Sequence, residues 1–131
     1  MSKKIIITGT SSGIGFELVK MFAQEKNIVL ALSRDNSKLR SLNLDGVDAI
    51  DFDINNPDDK KLTKFIGSFQ GIDVLINNAG HLVNKPFEET TLSDFKNTYL
   101  TNVFSVAMLI KSTIGHMREG SNVVNISSIG G

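Results

Sequence analysis

The sequence contains no cysteine, a single tyrosine and no excess charge of either sign. Without cysteine, the chain has no disulfides, no thiolate nucleophile and no cysteine-ligated metal. Fourteen basic residues balance fourteen acidic ones, so a polyanion such as nucleic acid is not an expected partner. The apolar run after residues 1–4 is too short for a signal peptide or a membrane span. We therefore expect a cytoplasmic protein that binds neither nucleic acid nor membranes.

The composition is that of an ordinary globular protein, and 131 residues predict one domain spanning residues 1–131. Apolar runs that indicate strands alternate with amphipathic segments, which is typical of a parallel sheet covered by helices on both faces. One helix is predicted to start at Asn56-Pro57-Asp58-Asp59, because these residue types favour helix N-termini. The predicted strands are residues 5–8, 27–32, 47–52, 72–76 and 121–126, and a long helix is predicted over residues 93–116.

A glycine-rich turn directly follows the first apolar strand and has the sequence TGTSSGIG over residues 8–15. Glycines at these spacings let backbone N–H groups approach a pyrophosphate at the positive end of the next helix. The same pattern also fits an ordinary strand-to-helix turn, because a lone glycine motif is weak. Motifs elsewhere in the chain favour the dinucleotide-binding interpretation.

Three further motifs lie at the ends of predicted strands or in the long helix. They are Asn77-Asn78-Ala79-Gly80, Asn102, and Asn125-Ile126-Ser127-Ser128. Together with the glycine turn, this ordered set closely resembles the classical short-chain dehydrogenase/reductase family over the whole chain. We therefore expect a Rossmann-like, doubly wound α/β fold with parallel strands in the order 3-2-1-4-5. The family's sixth and seventh strands have no counterpart in these residues.

The resemblance implies a binding site for a nicotinamide dinucleotide. Asp53 and Ile54 would meet the adenine edge, and a turn or helix-capping carboxylate is the alternative for Asp53. Asn77 would link neighbouring strands through its side chain. The implied cofactor-binding residues are Gly9, Ser11, Ser12, Gly13, Ile14, Gly15, Ser33, Arg34, Asp53, Ile54, Asn78, Ala79 and Gly80.

The end of the second strand bears on the choice between NADP(H) and NAD(H). In the family, the position of an NAD-selecting carboxylate falls on Ser33, and a guanidinium at Arg34 suits a 2′-phosphate. Asp35 is the rival, because it lies about 20 residues from the glycine turn, as in a generic dinucleotide fold. A merely solvated Arg34 is the other alternative. We predict a preference for NADP(H).

The resemblance implies catalytic roles for two residues. Ser128 would hydrogen-bond the substrate oxygen, and Asn102 would support a proton-relay water, the alternative being a polar residue that merely packs. The family's general acid is a Tyr with a Lys four residues on. That pair is absent, because Tyr99 is the only tyrosine and position 103 is Val. The chain thus looks C-terminally truncated, and residues 1–131 alone are expected to be inactive.

The resemblance implies an oxidoreductase that transfers a hydride between NADP(H) and a carbonyl or alcohol substrate. A catalytically inactive dinucleotide-binding fragment or regulator is the alternative. The broad apolar surface of the long helix, with Phe104 and Ile110 as candidates, predicts a homodimer or homotetramer. No metal site is expected, because neither His81 nor His116 has an acidic residue at ligand spacing.

Overall fold

The computed structural model describes residues 2–56 and 60–129. Within them, five strands form one parallel sheet in the spatial order β3-β2-β1-β4-β5, which confirms the predicted order. The chain changes direction across the sheet between β1 and β4, and in open α/β sheets ligands bind at such a switch point. The strands are β1 (Lys4–Thr8), β2 (Ile28–Ser33), β3 (Val47–Asp51), β4 (Ile72–Asn77) and β5 (Met117–Asn125).

Helices cover both faces of the sheet, as the alternating sequence pattern predicts. Short 3₁₀ turns at Phe87–Glu89 and Ile114–His116 flank the last two helices. The predicted helix start at residues 57–59 lies outside the described residues. No helix in the described part of the chain is long and apolar enough to cross a membrane. The helices are α1 (Gly13–Gln24), α2 (Ser37–Ser41), α3 (Lys60–Ser68), α4 (Leu92–Tyr99) and α5 (Ser105–Thr113).

Side chains of the central strand β1 pack into two separate core layers, one on each face of the sheet. Ile6 packs in one layer with residues of α3 and α5, such as Ile66 and Leu109. Ile5 and Ile7 pack in the other layer, with residues of α1 and α2. Successive side chains of a strand point to opposite faces, so an uninterrupted apolar run places β1 in the middle of the sheet.

The long helix predicted over residues 93–116 is present as a helical segment over residues 92–116 that contains a π turn. Helices α4 and α5 are separated by a π turn, Leu100–Phe104. The hydroxyls of Thr101 and Ser105 donate to Asn55 Oδ1 at 3.1 and 3.0 Å. These bonds come from a residue outside the helix and hold a widened turn that apolar periodicity does not reveal.

Strand β5 begins at Met117, four residues earlier than predicted. Ile72 pairs with Met117, whereas Val74 pairs with Asn122, so the register shifts between these two pairs. The extra residues include the charged Arg118 and Glu119, and Arg118 Nε donates to the carbonyl of Gly71 at 2.7 Å. A search for apolar runs misses such an irregular, partly polar strand start.

Candidate functional site

A cleft of about 560 Å³ opens at the carboxyl ends of the strands, within the roughly 300–1,000 Å³ that is typical of ligand pockets. The glycine turn, the segment after β2, the turn after β3 and the loop after β4 form its walls. These four segments carry the residues that the resemblance implies for cofactor binding. The predicted residues that line it are Gly9, Ser11, Ser12, Ser33, Arg34, Asp53, Ile54, Asn78, Ala79 and Gly80.

Three of the predicted cofactor-binding residues do not line the cleft. Gly13 and Ile14 line a second, apolar groove on the outer side of α1, where the Ile14 side chain is 61% exposed. Gly15 is buried. All three belong to the first turn of α1, whose backbone N–H groups have no partner within the helix. Contact of these three residues with a cofactor stays a prediction, and it would be made through their backbone N–H groups.

The glycine turn packs closely against the loop after β4. A Cβ atom added at Gly9, where φ is +69°, would lie 2.8 Å from Ala79 Cα. A Cβ atom added at Gly15 would lie 2.2 Å from the carbonyl oxygen of Gly9 and 2.5 Å from Asn78 Nδ2. Bare backbone at the start of a helix, held this close to the sheet edge, fits a pyrophosphate group.

Thr8 is absent from the predicted site residues, yet its hydroxyl joins the two loops. The Thr8 side chain is 1% exposed, and its Oγ1 accepts from the N–H groups of Asn78 at 3.0 Å and Ala79 at 2.9 Å. Asn78 Nδ2 in turn donates to the carbonyl of Gly9 at 3.1 Å. The sequence signal that could have identified Thr8 is a hydroxyl residue at the end of the apolar strand, just before the first glycine.

The turn after β3 carries the predicted adenine-edge pair. Strand β3 ends at Asp51, one residue earlier than predicted, so Asp53 and Ile54 belong to this turn. Asp53 Oδ1 accepts from the N–H group of Asn55 at 3.0 Å, which is the turn role considered as the alternative. Asp53 thus shapes the turn and also lines the cleft, and contact of its carboxylate with adenine stays a prediction. Asn55, which sequence reasoning missed, ties this turn to the π turn.

Arg34 and Asp35 follow β2 and both line the cleft. Asp35 Oδ1 accepts from the N–H group of Ser37 at 2.9 Å, and this backbone hydrogen bond lowers the pKa of Asp35. The Arg34 guanidinium is exposed, and within residues 2–56 and 60–129 it forms no hydrogen bond or ion pair. The cation is thus available to a ligand, whereas one oxygen of the Asp35 carboxylate is used at the start of α2.

Asn102 lies in the π turn and holds the loop after β4. Its Oδ1 accepts from the N–H group of His81 at 2.8 Å, and its Nδ2 donates to the carbonyl of His81 at 2.9 Å. Both ends of the amide are therefore used on the residue that follows Gly80. This clamp positions the loop, and support of a relay water by Asn102 stays a prediction.

Ser128 follows β5 at the same edge of the sheet as the cleft. Asn77 Nδ2 donates to Asn125 Oδ1 at 2.9 Å, so this side chain links β4 to β5. The N–H group of Ile126 donates to the carbonyl of Asn77 at 3.0 Å, which carries the pairing just past β5. Ser128 is exposed beyond this point and is not among the residues that line the cleft. Its contact with a substrate stays a prediction.

The arrangement suits a dinucleotide, with backbone N–H groups for a pyrophosphate and a cation beside the end of β2. No group of three or more His, Asp or Glu side chains that could hold a metal ion occurs in the described residues. The groups that line the cleft include backbone and side-chain amides, hydroxyls, the Arg34 guanidinium and the carboxylates of Asp35 and Asp53.

Comparisons with known proteins agree with this architecture. The sequence profile of the short chain dehydrogenase family matches residues 3–131. A 3-ketodihydrosphingosine reductase from Bacteroides thetaiotaomicron is 35% identical over 97% of this chain and 47% of its own length. The chain spans about half the length of the curated relatives it matches.

Solved structures share the fold. A short-chain dehydrogenase from Streptomyces avermitilis has a TM-score of 0.86 and 29% identity, covering 99% of this chain and 50% of the other. A blue fluorescent protein from a metagenomic library, solved in complex with NADPH, has a TM-score of 0.80 and 26% identity, covering 97% and 56%. The fold of this chain thus matches about half of the length of each of these longer proteins.

Proposed function

Because this chain belongs to the short-chain dehydrogenase/reductase family, we propose that the whole protein is an oxidoreductase that transfers a hydride between NADP(H) and a carbonyl or alcohol substrate. One observation carries the proposal: the cleft at the strand ends brings the glycine turn, Arg34, Asp53 and the Asn78–Gly80 loop together. A reductase among the relatives and a neighbour solved with NADPH support it.

The preference for NADP(H) rests on the two residues after β2. Arg34 has no partner of its own among the described residues, and a guanidinium can form paired, charge-assisted bonds with a 2′-phosphate. Asp35 is the residue that would favour NAD(H), but its Oδ1 already accepts from the Ser37 N–H group. The proposal therefore rests on the Arg34 cation, while one oxygen of the Asp35 carboxylate serves the start of α2.

The proposed roles of Asn102 and Ser128 follow from where these residues lie in the fold. The nicotinamide ring, when bound, gives or takes the hydride. Asn102 fixes the loop after Gly80 through His81, and this loop would form the wall beside that ring. Ser128, at the same sheet edge, would donate a hydrogen bond to the substrate oxygen and stabilise the charge that develops there.

A second candidate is a dinucleotide-binding protein without a general acid of its own. One observation favours it for residues 1–131 taken alone: Tyr99 is the only tyrosine, and position 103 holds Val instead of Lys. Such a protein binds NADPH and reduces no carbonyl compound. NADPH oxidation by the whole protein, measured with a panel of ketones and 3-oxoacyl thioesters, separates the two candidates.

The cofactor assignment is tested by Arg34→Ala. Loss of the charge-assisted bonds should weaken NADPH binding by about 1.5–3 kcal/mol and leave NADH binding almost unchanged. Titration calorimetry of the whole protein with both cofactors measures this. Lys111→Ala, which removes an exposed cation from α5, is the matched control and should change neither affinity. Equal losses for both cofactors in Arg34→Ala would show that Arg34 does not read the 2′-phosphate.

We also propose that a second copy of the protein covers the outer face of α4, the π turn and α5. Phe104 is 57% exposed, and its ring lies 6.4 Å from that of Tyr99. Val103 and Met108 are exposed beside them. Ile110 is not part of this surface, because it packs against the core layer that contains Leu109. A contiguous apolar surface of this kind is typical of an interface between subunits.

A further inference from the structure

Asn36 is a polar residue buried beside the candidate cofactor site. It lies between β2 and α2, two residues after Arg34, and its side chain is 0% exposed. Arg34 and Asp35 are both exposed and line the cleft, whereas Asn36 does not. Burial of an amide is costly unless all its hydrogen bonds are made, so its partners indicate what the residue holds in place.

The Asn36 side chain joins three segments of the chain. Its Nδ2 donates to the carbonyl of Ala31 in β2 at 3.0 Å and to the carbonyl of Ile50 in β3 at 2.7 Å. Its Oδ1 accepts from the hydroxyl of Thr10 at 2.7 Å. Thr10 is itself 0% exposed and lies in the glycine turn between Gly9 and Ser11. A single amide thus ties the glycine turn to the ends of β2 and β3.

The backbone of Asn36 is held as firmly as its side chain. Its N–H group donates to Asp51 Oδ1 at 2.8 Å. Asp51 also accepts two bonds from the Arg40 guanidinium, at 2.8 and 3.1 Å. The N–H group of Arg40 donates to the carbonyl of Asn36 at 2.9 Å. The start of α2 and the end of β3 therefore lock the position of Asn36 from outside the cleft.

We propose that Asn36 is a positioning residue for cofactor selection, which sets Arg34 at a fixed distance from the glycine turn through its bond to Thr10. A dinucleotide with a 2′-phosphate places two anionic groups, the pyrophosphate and the 2′-phosphate, on two different segments of the protein. Both groups bind well only when those segments keep one relative geometry. NADH carries a neutral hydroxyl instead of a phosphate at the second position, so the charge-assisted part of its binding does not depend on this spacing. The inference rests on the proposed binding of NADP(H).

The test compares three variants of the whole protein. Asn36→Ala removes the complete link, and Thr10→Val removes only the hydroxyl that donates to it. Asn27→Ala is the matched control, because Asn27 is also a buried amide (8% exposed) that precedes β2 at the opposite end of the sheet. It accepts from the Lys3 N–H group at 2.9 Å and donates to the Phe22 carbonyl at 3.2 Å.

The measured quantities are the dissociation constants for NADPH and NADH and the thermal unfolding midpoint. The ratio of NADPH affinity to NADH affinity should fall about tenfold in Asn36→Ala and about threefold in Thr10→Val, as expected when hydrogen bonds to a charged group are misaligned. Asn27→Ala should lower the unfolding midpoint and leave the affinity ratio within about twofold of the original, because distant sites act independently.

Each outcome decides the proposal. An unchanged ratio in folded Asn36→Ala and Thr10→Val overturns the role of Asn36 while leaving the NADP(H) assignment intact. If Asn36→Ala does not fold, Thr10→Val alone decides the matter. An equal fall of the ratio in Asn27→Ala also overturns the proposal, since a general loss of stability would then explain it. If the unchanged protein does not prefer NADPH, both the cofactor assignment and this inference are wrong.

Discussion

Replacing Gly15 by alanine tests the close contact between α1 and the loop after β4. The added methyl group would lie 2.2 Å from the carbonyl oxygen of Gly9, 2.5 Å from Asn78 Nδ2 and 2.8 Å from the carbonyl carbon of Gly9. Two of these three atoms belong to the backbone of the glycine turn, so no side-chain rotation relieves the overlap. The substitution must push α1 away from the sheet edge or break the bond between Asn78 and Gly9.

The expected change in the free energy of unfolding combines two destabilising effects and one stabilising effect. Overpacking costs about 1–3 kcal/mol, and loss of the hydrogen bond between Asn78 Nδ2 and the Gly9 carbonyl costs about 0.5–1.5 kcal/mol. The higher helix propensity of alanine in α1 returns about 1 kcal/mol. We expect Gly15→Ala to lower the free energy of unfolding by about 0.5–3.5 kcal/mol, with a central value of about 2 kcal/mol, which lowers Tm by roughly 5–10 °C in a domain of this size.

Gly67→Ala is the matched control. Gly67 lies in α3, and a Cβ atom added there would have no neighbour within 4 Å. Helix propensity alone then predicts a gain of about 0.5–1 kcal/mol. Urea and thermal unfolding, followed by circular dichroism, measure both variants. A Gly15→Ala protein as stable as the original would refute the close contact, and a destabilised Gly67→Ala would refute the propensity argument.

Two further predictions concern charge and assembly. The Lys85 ammonium and the Thr91 N–H group lower the pKa of Asp94 from its ordinary 3.8 to about 2. The ionised carboxylate therefore stabilises the fold above pH 3.8, and this stabilisation is lost as the pH falls through 2. Asp94→Asn should therefore be less stable than the original near pH 7, with the difference closing near pH 2 in urea unfolding, and a constant difference across this range would contradict the assignment. Phe104→Asp should reduce the mass of the whole protein in sedimentation, because a charge desolvated in an apolar interface is costly; an unchanged mass would place any interface elsewhere.

Local patterns predicted a parallel sheet covered by helices, and the resemblance of the ordered motifs to a known family implied the location of the site. The run Ile5-Ile6-Ile7 predicts a strand that is buried on both faces, and alternation with amphipathic helices predicts parallel pairing. Because parallel strands all end at one edge, motifs that follow separate strands meet there. The glycine turn, Arg34, Asp53 and the Asn78–Gly80 loop accordingly line one cleft.

The sequence by itself thus determined the class of fold, because burial period and turn residues act over a few neighbouring residues, and the resemblance of its motifs to a known family implied the strand order and the segments of the site. Only the tertiary structure decided how those segments are held. Thr8 bonds to Asn78 across 70 residues, and Asn102 bonds to His81 across 21. Thr10 bonds to Asn36 across 26 residues, and Thr101 to Asn55 across 46. The partner of a buried hydroxyl or amide depends on which chain segment lies within hydrogen-bond distance of it, about 3 Å. That proximity is created by folding and is absent from the local pattern.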